Sequence, residues 1–165
     1  MAGLPGTGKS TIAQALAKEL SGTVLSKDEI RHAIFAPADI EYSTEQDDFC
    51  LEIMLETAEY IFRKDPGRYV FLDGRTFSRR YQLERVLEFA ERLKHSWKIL
   101  ECTCKDETVK ARLEQGSNHP AGNRDYRLYL EVKRRFEPIT LPKLVLDTDR
   151  QAGESLASAV HYLNS

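Results

Sequence analysis

The chain has 165 residues, of which 41% are hydrophobic and 30% charged, and its net charge is −2. These values suit one soluble globular domain over residues 1–165, and they leave no global field to draw nucleic acid or an anionic membrane. No apolar run approaches the ~20 residues of a transmembrane helix and no signal peptide is legible, which points to the cytoplasm.

Gly3-Leu4-Pro5-Gly6-Thr7-Gly8-Lys9-Ser10 fits the phosphate-binding pattern G-x-x-x-x-G-K-[ST] at every fixed position. Glycines let backbone N–H groups converge on a triphosphate, because no Cβ blocks the approach. Lys9 is placed to reach the β- and γ-phosphates, and the Ser10 hydroxyl to ligate Mg²⁺. The expected nucleotide-binding set is Gly3, Pro5, Gly6, Thr7, Gly8, Lys9, Ser10 and Thr11. Ile12, Leu16 and Leu20 then recur at helical spacing, and Ser21-Gly22 stops the helix. That helix points its positive end at the phosphates.

Short apolar runs alternate with helical patterns along the rest of the chain. Residues 23–26 read as a strand and 28–35 as a short helix ending before Pro37. Ser43-Thr44-Glu45-Gln46 carries a capping-box signature that opens a long helix to about Lys64. Residues 69–73 form a buried strand ending in Asp73, and 79–94 a helix with clear apolar periodicity. Residues 97–103 read as a strand, and 106–114 as a helix that Asp106 is placed to cap. After a polar loop, 125–137 is helical, 143–146 is the last strand and 153–163 the last helix. Strands alternating with helices imply a parallel sheet covered on both faces, with ligands at the carboxyl ends of the strands.

Those strand ends hold the candidate chemistry. Asp28 and Arg31 share a helix face, so Asp28 can take a proton from an attacking hydroxyl while Arg31 holds the acceptor. The plainer alternative makes Asp28 a cap and Arg31 a solvated residue. Asp73 has the placement of a metal-side carboxylate, or of a turn aspartate before Gly74. Arg75, Arg79 and Arg80 form a cluster suited to an anionic acceptor, or lie solvated at a helix start. Arg112, Arg124 and Arg127 border the polar loop at 115–124, which reads as a lid or as an ordinary surface loop. Arg112 is the candidate for contacting the transferred phosphoryl group. His119 reads as exposed, and Asp147 as the support of a turn.

Cys50, Cys102 and Cys104 have no framework spacing and read as reduced thiols. Cys102 and Cys104 fall on one face of the expected strand, with no further metal ligands evident nearby.

GLPGTGKS, SKDEIR, VFLDGRTFSRR, ECTCKDETVKARL and RRFEPITLPKLVLDTD together resemble the small P-loop kinase-like ATPases of the AAA-33 domain group. That group is allied to zeta toxins, chloramphenicol phosphotransferase and polynucleotide 5′-kinase domains. The resemblance covers nearly the whole chain. It implies a three-layer α/β/α P-loop fold with strand order 2-3-1-4-5. It also implies Asp28 as general base toward an acceptor hydroxyl, Arg31 on the acceptor side, and Arg112 and Arg124 in a lid. The implied ligands are ATP and Mg²⁺, and the acceptor is a small molecule that the resemblance does not name.

The chain departs from the group at its first strand. Only Met1 and Ala2 precede Gly3, so the expectation is that they supply the end of a central strand and little more. The start then lies further upstream, or the chain is a fragment, or something else fills the place. Two other functions fit the motifs: a nucleotide-binding module or switch with little chemistry, and a 5′-hydroxyl polynucleotide kinase. The net charge and the acidic stretch at 41–48 argue against the second.

Overall fold

The computed structural model describes residues 1–115 and 125–165. In chain order the elements are α1 (Lys9–Glu19), β1 (Thr23–Ser26), α2 (Lys27–Ile34), α3 (Thr44–Lys64), β2 (Val70–Asp73), α4 (Arg80–Leu93) and β3 (Leu100–Thr103). There follow α5 (Asp106–Gln115), α6 (Tyr126–Arg135), β4 (Leu144–Asp147) and α7 (Ala152–Asn164). No helix among the described residues is long and apolar enough to cross a membrane.

The strands pair in parallel, β1 with β2 and β3 with β4, in register from Thr23↔Val70 and Leu100↔Leu144. Residues 1 and 2 lie between the two pairs. The Met1 amine donates to Leu72 O at 3.0 Å, Ala2 N donates to Leu100 O, and Cys102 N donates to Ala2 O. Ala2 therefore makes one isolated parallel bridge, to Glu101, and no ladder. This is the strand end expected of Met1 and Ala2.

Side-chain alternation on the strands builds a core on each face. Phe71, Leu100, Cys102 and Leu146 pack with Ile12, Ala13 and Leu16 of α1 and Ala159 of α7. On the other face Leu25 joins Leu51, Met54, Leu55 and Ala58 of α3 and Phe89 of α4, with Val70 and Leu72 against them. The result is the expected three-layer α/β/α arrangement.

The strand expected over 97–103 begins only at Leu100. A strand needs hydrogen-bonding neighbours; Ile99 makes a single such bond, its carbonyl accepting from Leu144 N, and residues 97–99 border an apolar cavity of about 370 Å³ lined also by Met1, Phe71 and Leu72. Cys104 lies just past the end of β3, half-buried, rather than on the strand face with Cys102, which is fully buried within it. Burial pushes the Cys102 thiol up to about 11. Ser43 caps α3 by accepting from Gln46 N, but the Gln46 side chain accepts from Glu41 N and donates to Asp39 O, so the box is half formed. Asp106 does not serve as a cap. Its carboxylate joins α5 to α6, accepting from the Tyr129 hydroxyl (2.7 Å) and from Lys133 Nζ (2.6 Å).

The candidate active site

The phosphate loop is shaped by positive φ where side chains cannot go. Gly3 has φ 127°, and a Cβ there would run into the carbonyl oxygen of Cys102 on β3. Gly8 has φ 86° and caps α1 at its N-terminus, which aims the first turn of the helix into the loop. The Thr7 hydroxyl donates to Leu4 O at 2.8 Å. Lys9 is buried and folds back over the loop, donating from Nζ to Gly3 O (2.9 Å) and Leu4 O (2.8 Å). An ammonium group so close to the loop carbonyls needs only a small swing to meet a phosphate oxygen.

A cleft of about 530 Å³ opens on this loop. Pro5, Gly6, Gly8, Lys9, Ser10 and Thr11 line one wall; Lys27, Asp28, Arg31, Asp47 and Arg75 line the other. Gly3 and Thr7 support the loop from behind and do not line the cleft. Arg112 borders it too, so Lys9, Asp28 and Arg112, which are widely separated in sequence, meet around one space.

Asp28 is buried at the start of α2, directly after β1. The N-cap there is Ser26, whose hydroxyl accepts from Glu29 N, so the Asp28 side chain is not spent on capping. Its Oδ1 accepts from Arg31 Nη1 at 3.0 Å, and Lys27 Nζ lies 3.3 Å away. Arg31 is not solvated; it is wholly buried, with the Tyr42 ring 5.3 Å from its guanidinium carbon. Arg31 Nη2 also bonds Asp47 on α3, and Lys27 Nζ reaches the same Asp47 oxygen at 2.5 Å.

Of the Arg75, Arg79 and Arg80 cluster, only Arg75 enters the cleft. It is 3% exposed and pairs with Asp48 through Nη2. Arg79 donates to Glu137 at 2.9 Å on the surface, while the Arg80 guanidinium pairs with Glu84. Glu137 also accepts from Arg80 N, so a carboxylate answers the positive end of α4, and that bond with the Arg79 pair holds its carboxyl below the usual range.

Asp73 ends β2, 3% exposed and set behind the loop rather than along the cleft wall; its Oδ1 is buried and makes no hydrogen bond. Such an atom suits a hard, oxygen-seeking cation or its waters.

Arg112 is held by Thr148, a residue not singled out in the sequence. Arg112 Nη1 donates to Thr148 Oγ1 (2.9 Å) and Nη2 to Thr148 O (2.8 Å). Thr148 Oγ1 in turn donates to Thr7 O at 2.9 Å. Thr148 follows the carboxyl end of β4, where the strand-end rule would have found it. Asp147 supports the turn, accepting from Asp149 N. Arg127 lies on the exposed face of α6, 3.8 Å from Glu131, and does not line the cleft; Leu128, Val132 and Arg135 of that helix do. Arg124 and His119, with most of the expected lid, lie outside the described residues.

The fold and cleft together define a P-loop kinase-like α/β protein. Similar solved structures include APS kinase CysC from Mycobacterium tuberculosis, in complex with AMPPNP and APS (TM-score 0.75, 20% identity, covering 99% of this chain and 95% of that one). A putative kinase from Chloroflexus aurantiacus matches at TM-score 0.71 and 23% identity over 97% and 92% of the two chains. A gluconokinase from Sinorhizobium meliloti matches at 0.69 and 14% over 97% and 87%. No curated protein sequence matches. The profile of the AAA domain family AAA-33 matches residues 1–139, and the chain belongs to that family.

Proposed function

We propose that the protein is a magnesium-dependent kinase that transfers the γ-phosphoryl group of ATP to a hydroxyl of a small molecule. The observation that carries this reading is that Asp28 shares one cleft with the phosphate loop and Arg112. A nucleotide-binding switch needs the loop alone. A buried carboxylate facing it, steadied by Arg31 and Lys27, is what an acceptor hydroxyl needs.

In this reading the loop and Lys9 cradle the β- and γ-phosphates. The acceptor oxygen bonds to the γ-phosphorus as the bond to the β,γ-bridging oxygen breaks. The electron pair of that bond leaves with ADP, and the acceptor proton passes to the Asp28 carboxylate. Arg112, fixed by Thr148, stabilises charge on the transferring group. Ser10 and Asp73 would hold Mg²⁺, which when bound supplies positive charge to the phosphate oxygens.

The test is ATP consumption measured against a panel of small hydroxylated metabolites. One or more should raise turnover above the ATP-only rate, and Asp28→Asn should abolish that increment. A panel that never exceeds the ATP-only rate counts for the switch.

A further inference from the structure

Among the described residues, four buried side-chain nitrogen or oxygen atoms lack a hydrogen-bond partner, three of them on residues that line the cleft. One is Asp73 Oδ1. The other three are guanidinium nitrogens: Arg31 Nε, and Arg75 Nε and Nη1. Buried donors on a charged group are costly to leave unmade, so each calls for an explanation.

Both arginines line the acceptor wall and are almost wholly buried, at 0% and 3% exposure. Arg31 Nη1 is held by Asp28, and the other partners of the two arginines are carboxylates from α3. Asp47 Oδ1 takes Arg31 and Lys27, Asp47 Oδ2 stands 3.8 Å from Arg75 Nη1, and Asp48 takes Arg75 Nη2. These two carboxylates are partly exposed, at 28% and 41% for their side chains, whereas the cations they pair with are fixed in the wall. Two guanidinium forks with spare donors match a planar or tetrahedral oxyanion, which can accept two parallel bonds from each.

Resting on the kinase reading of the cleft, we infer that the phosphoryl acceptor is anionic. Its carboxylate or phosphate-type group binds Arg31 and Arg75 in place of the Asp47 carboxylate. Three cations (Lys27, Arg31, Arg75) face three carboxylates (Asp28, Asp47, Asp48) here. Asp28 is committed to the acceptor hydroxyl. Asp47, which contacts all three cations, is the counter-charge whose exchange for a ligand anion keeps the site neutral. A neutral acceptor can meet the spare donors through hydroxyl oxygens but cannot replace the negative charge of Asp47. Asp47 thus holds the site in the acceptor's absence and competes with it.

The experiment is calorimetric titration of the full chain, saturated with AMPPNP to keep anions off the phosphate loop. The probes are inorganic sulfate, D-gluconate and the neutral polyol sorbitol. Sulfate or gluconate should bind and sorbitol should not; the tighter of the two anions tells a phosphate-type from a carboxylate acceptor. Asp47→Asn should tighten anion binding about tenfold by removing the competitor, and Arg75→Gln should weaken it by about tenfold or more. If Asp47 were purely structural, Asp47→Asn would lower the melting temperature and leave anion affinity unchanged or weaker. That result, or binding of neither anion, overturns the inference. Far-UV circular dichroism checks each variant, and if Arg75→Gln does not fold, Asp47→Asn decides alone. The readout needs no turnover. Anion binding without phosphoryl transfer therefore counts against the kinase reading only, and transfer to neutral acceptors alone counts against this inference only. Should AMPPNP itself not bind, the kinase reading falls, and the difference in anion affinity between the native chain and Asp47→Asn, which share the same phosphate loop, still decides the role of Asp47.

Discussion

Arg112 and Thr148 are joined by two hydrogen bonds, and Thr148 passes one on to the carbonyl of Thr7 in the phosphate loop. A cation on α5 is thereby fixed to the loop by the residue that follows the last strand. Thr148→Val keeps the shape but removes the hydroxyl, which takes away one of the two bonds that hold Arg112 and the donor to Thr7 O, while the bond to the Thr148 carbonyl stays. The expected outcome is a fall in kcat of about tenfold or more, with a smaller change in KM for ATP. Thr148→Ser, which restores the hydroxyl, should recover the rate.

Asp28→Asn keeps the volume and the contact with Arg31 but cannot take a proton. Phosphoryl transfer should fall by about 10²–10⁴-fold. AMPPNP affinity, measured by calorimetry, should be unchanged, because nucleotide binding does not call on that carboxylate. A parallel loss of both would make Asp28 a structural residue.

Tyr129 is 2% exposed and donates to Asp106, so it and Lys133 clasp α5 to α6. Burial and the neighbouring carboxylate push the phenol up to about 12. Tyr129→Phe removes the bond without opening a cavity and should cost about 1 kcal/mol. In a chain of this size that is a fall in Tm of about 2–4 °C by calorimetry.

Cys102 adds an alkaline dependence. Its folded value of about 11 lies above the ordinary 9.0 because burial disfavours the thiolate. The folded state therefore holds its proton more tightly than the unfolded chain. The stabilisation is complete below about pH 9 and is lost as pH rises through about 11, on the order of 2 kcal/mol. Urea midpoints from pH 8 to 11 should fall less steeply for Cys102→Ala than for the native chain. Parallel curves would assign the loss to other groups.

The phosphate loop was legible because its chemistry is local: eight consecutive residues shape one concavity and start one helix. The place of Asp28 on the cleft was legible because in a parallel sheet ligand clefts open at the carboxyl ends of the strands, whereas Asp73, also at a strand end, lies behind the loop. Asp47 and Asp48 were visible only as part of an acidic stretch, since their role depends on where α3 crosses α2. Arg79 and Arg80 looked equivalent to Arg75 in sequence. The turn after β2 buries Arg75, while Glu137, distant in the chain, draws Arg79 outward. Arg127 and Arg135 differ in the same way, by helix face. Trp97, Lys98 and Ile99 have strand-like composition but border a cavity, and of the three only Ile99 reaches a strand neighbour, its carbonyl accepting from Leu144 N.

The central claim is that this cleft moves a phosphoryl group onto an acceptor. The most direct test incubates the protein with ATP labelled in the γ-phosphate and a mixture of polyols, sugar acids and sugar phosphates. The predicted result is label on a small molecule with the native chain, and none with Lys9→Ala or Asp28→Asn. Label recovered only as inorganic phosphate, or transfer undiminished in Asp28→Asn, would contradict it.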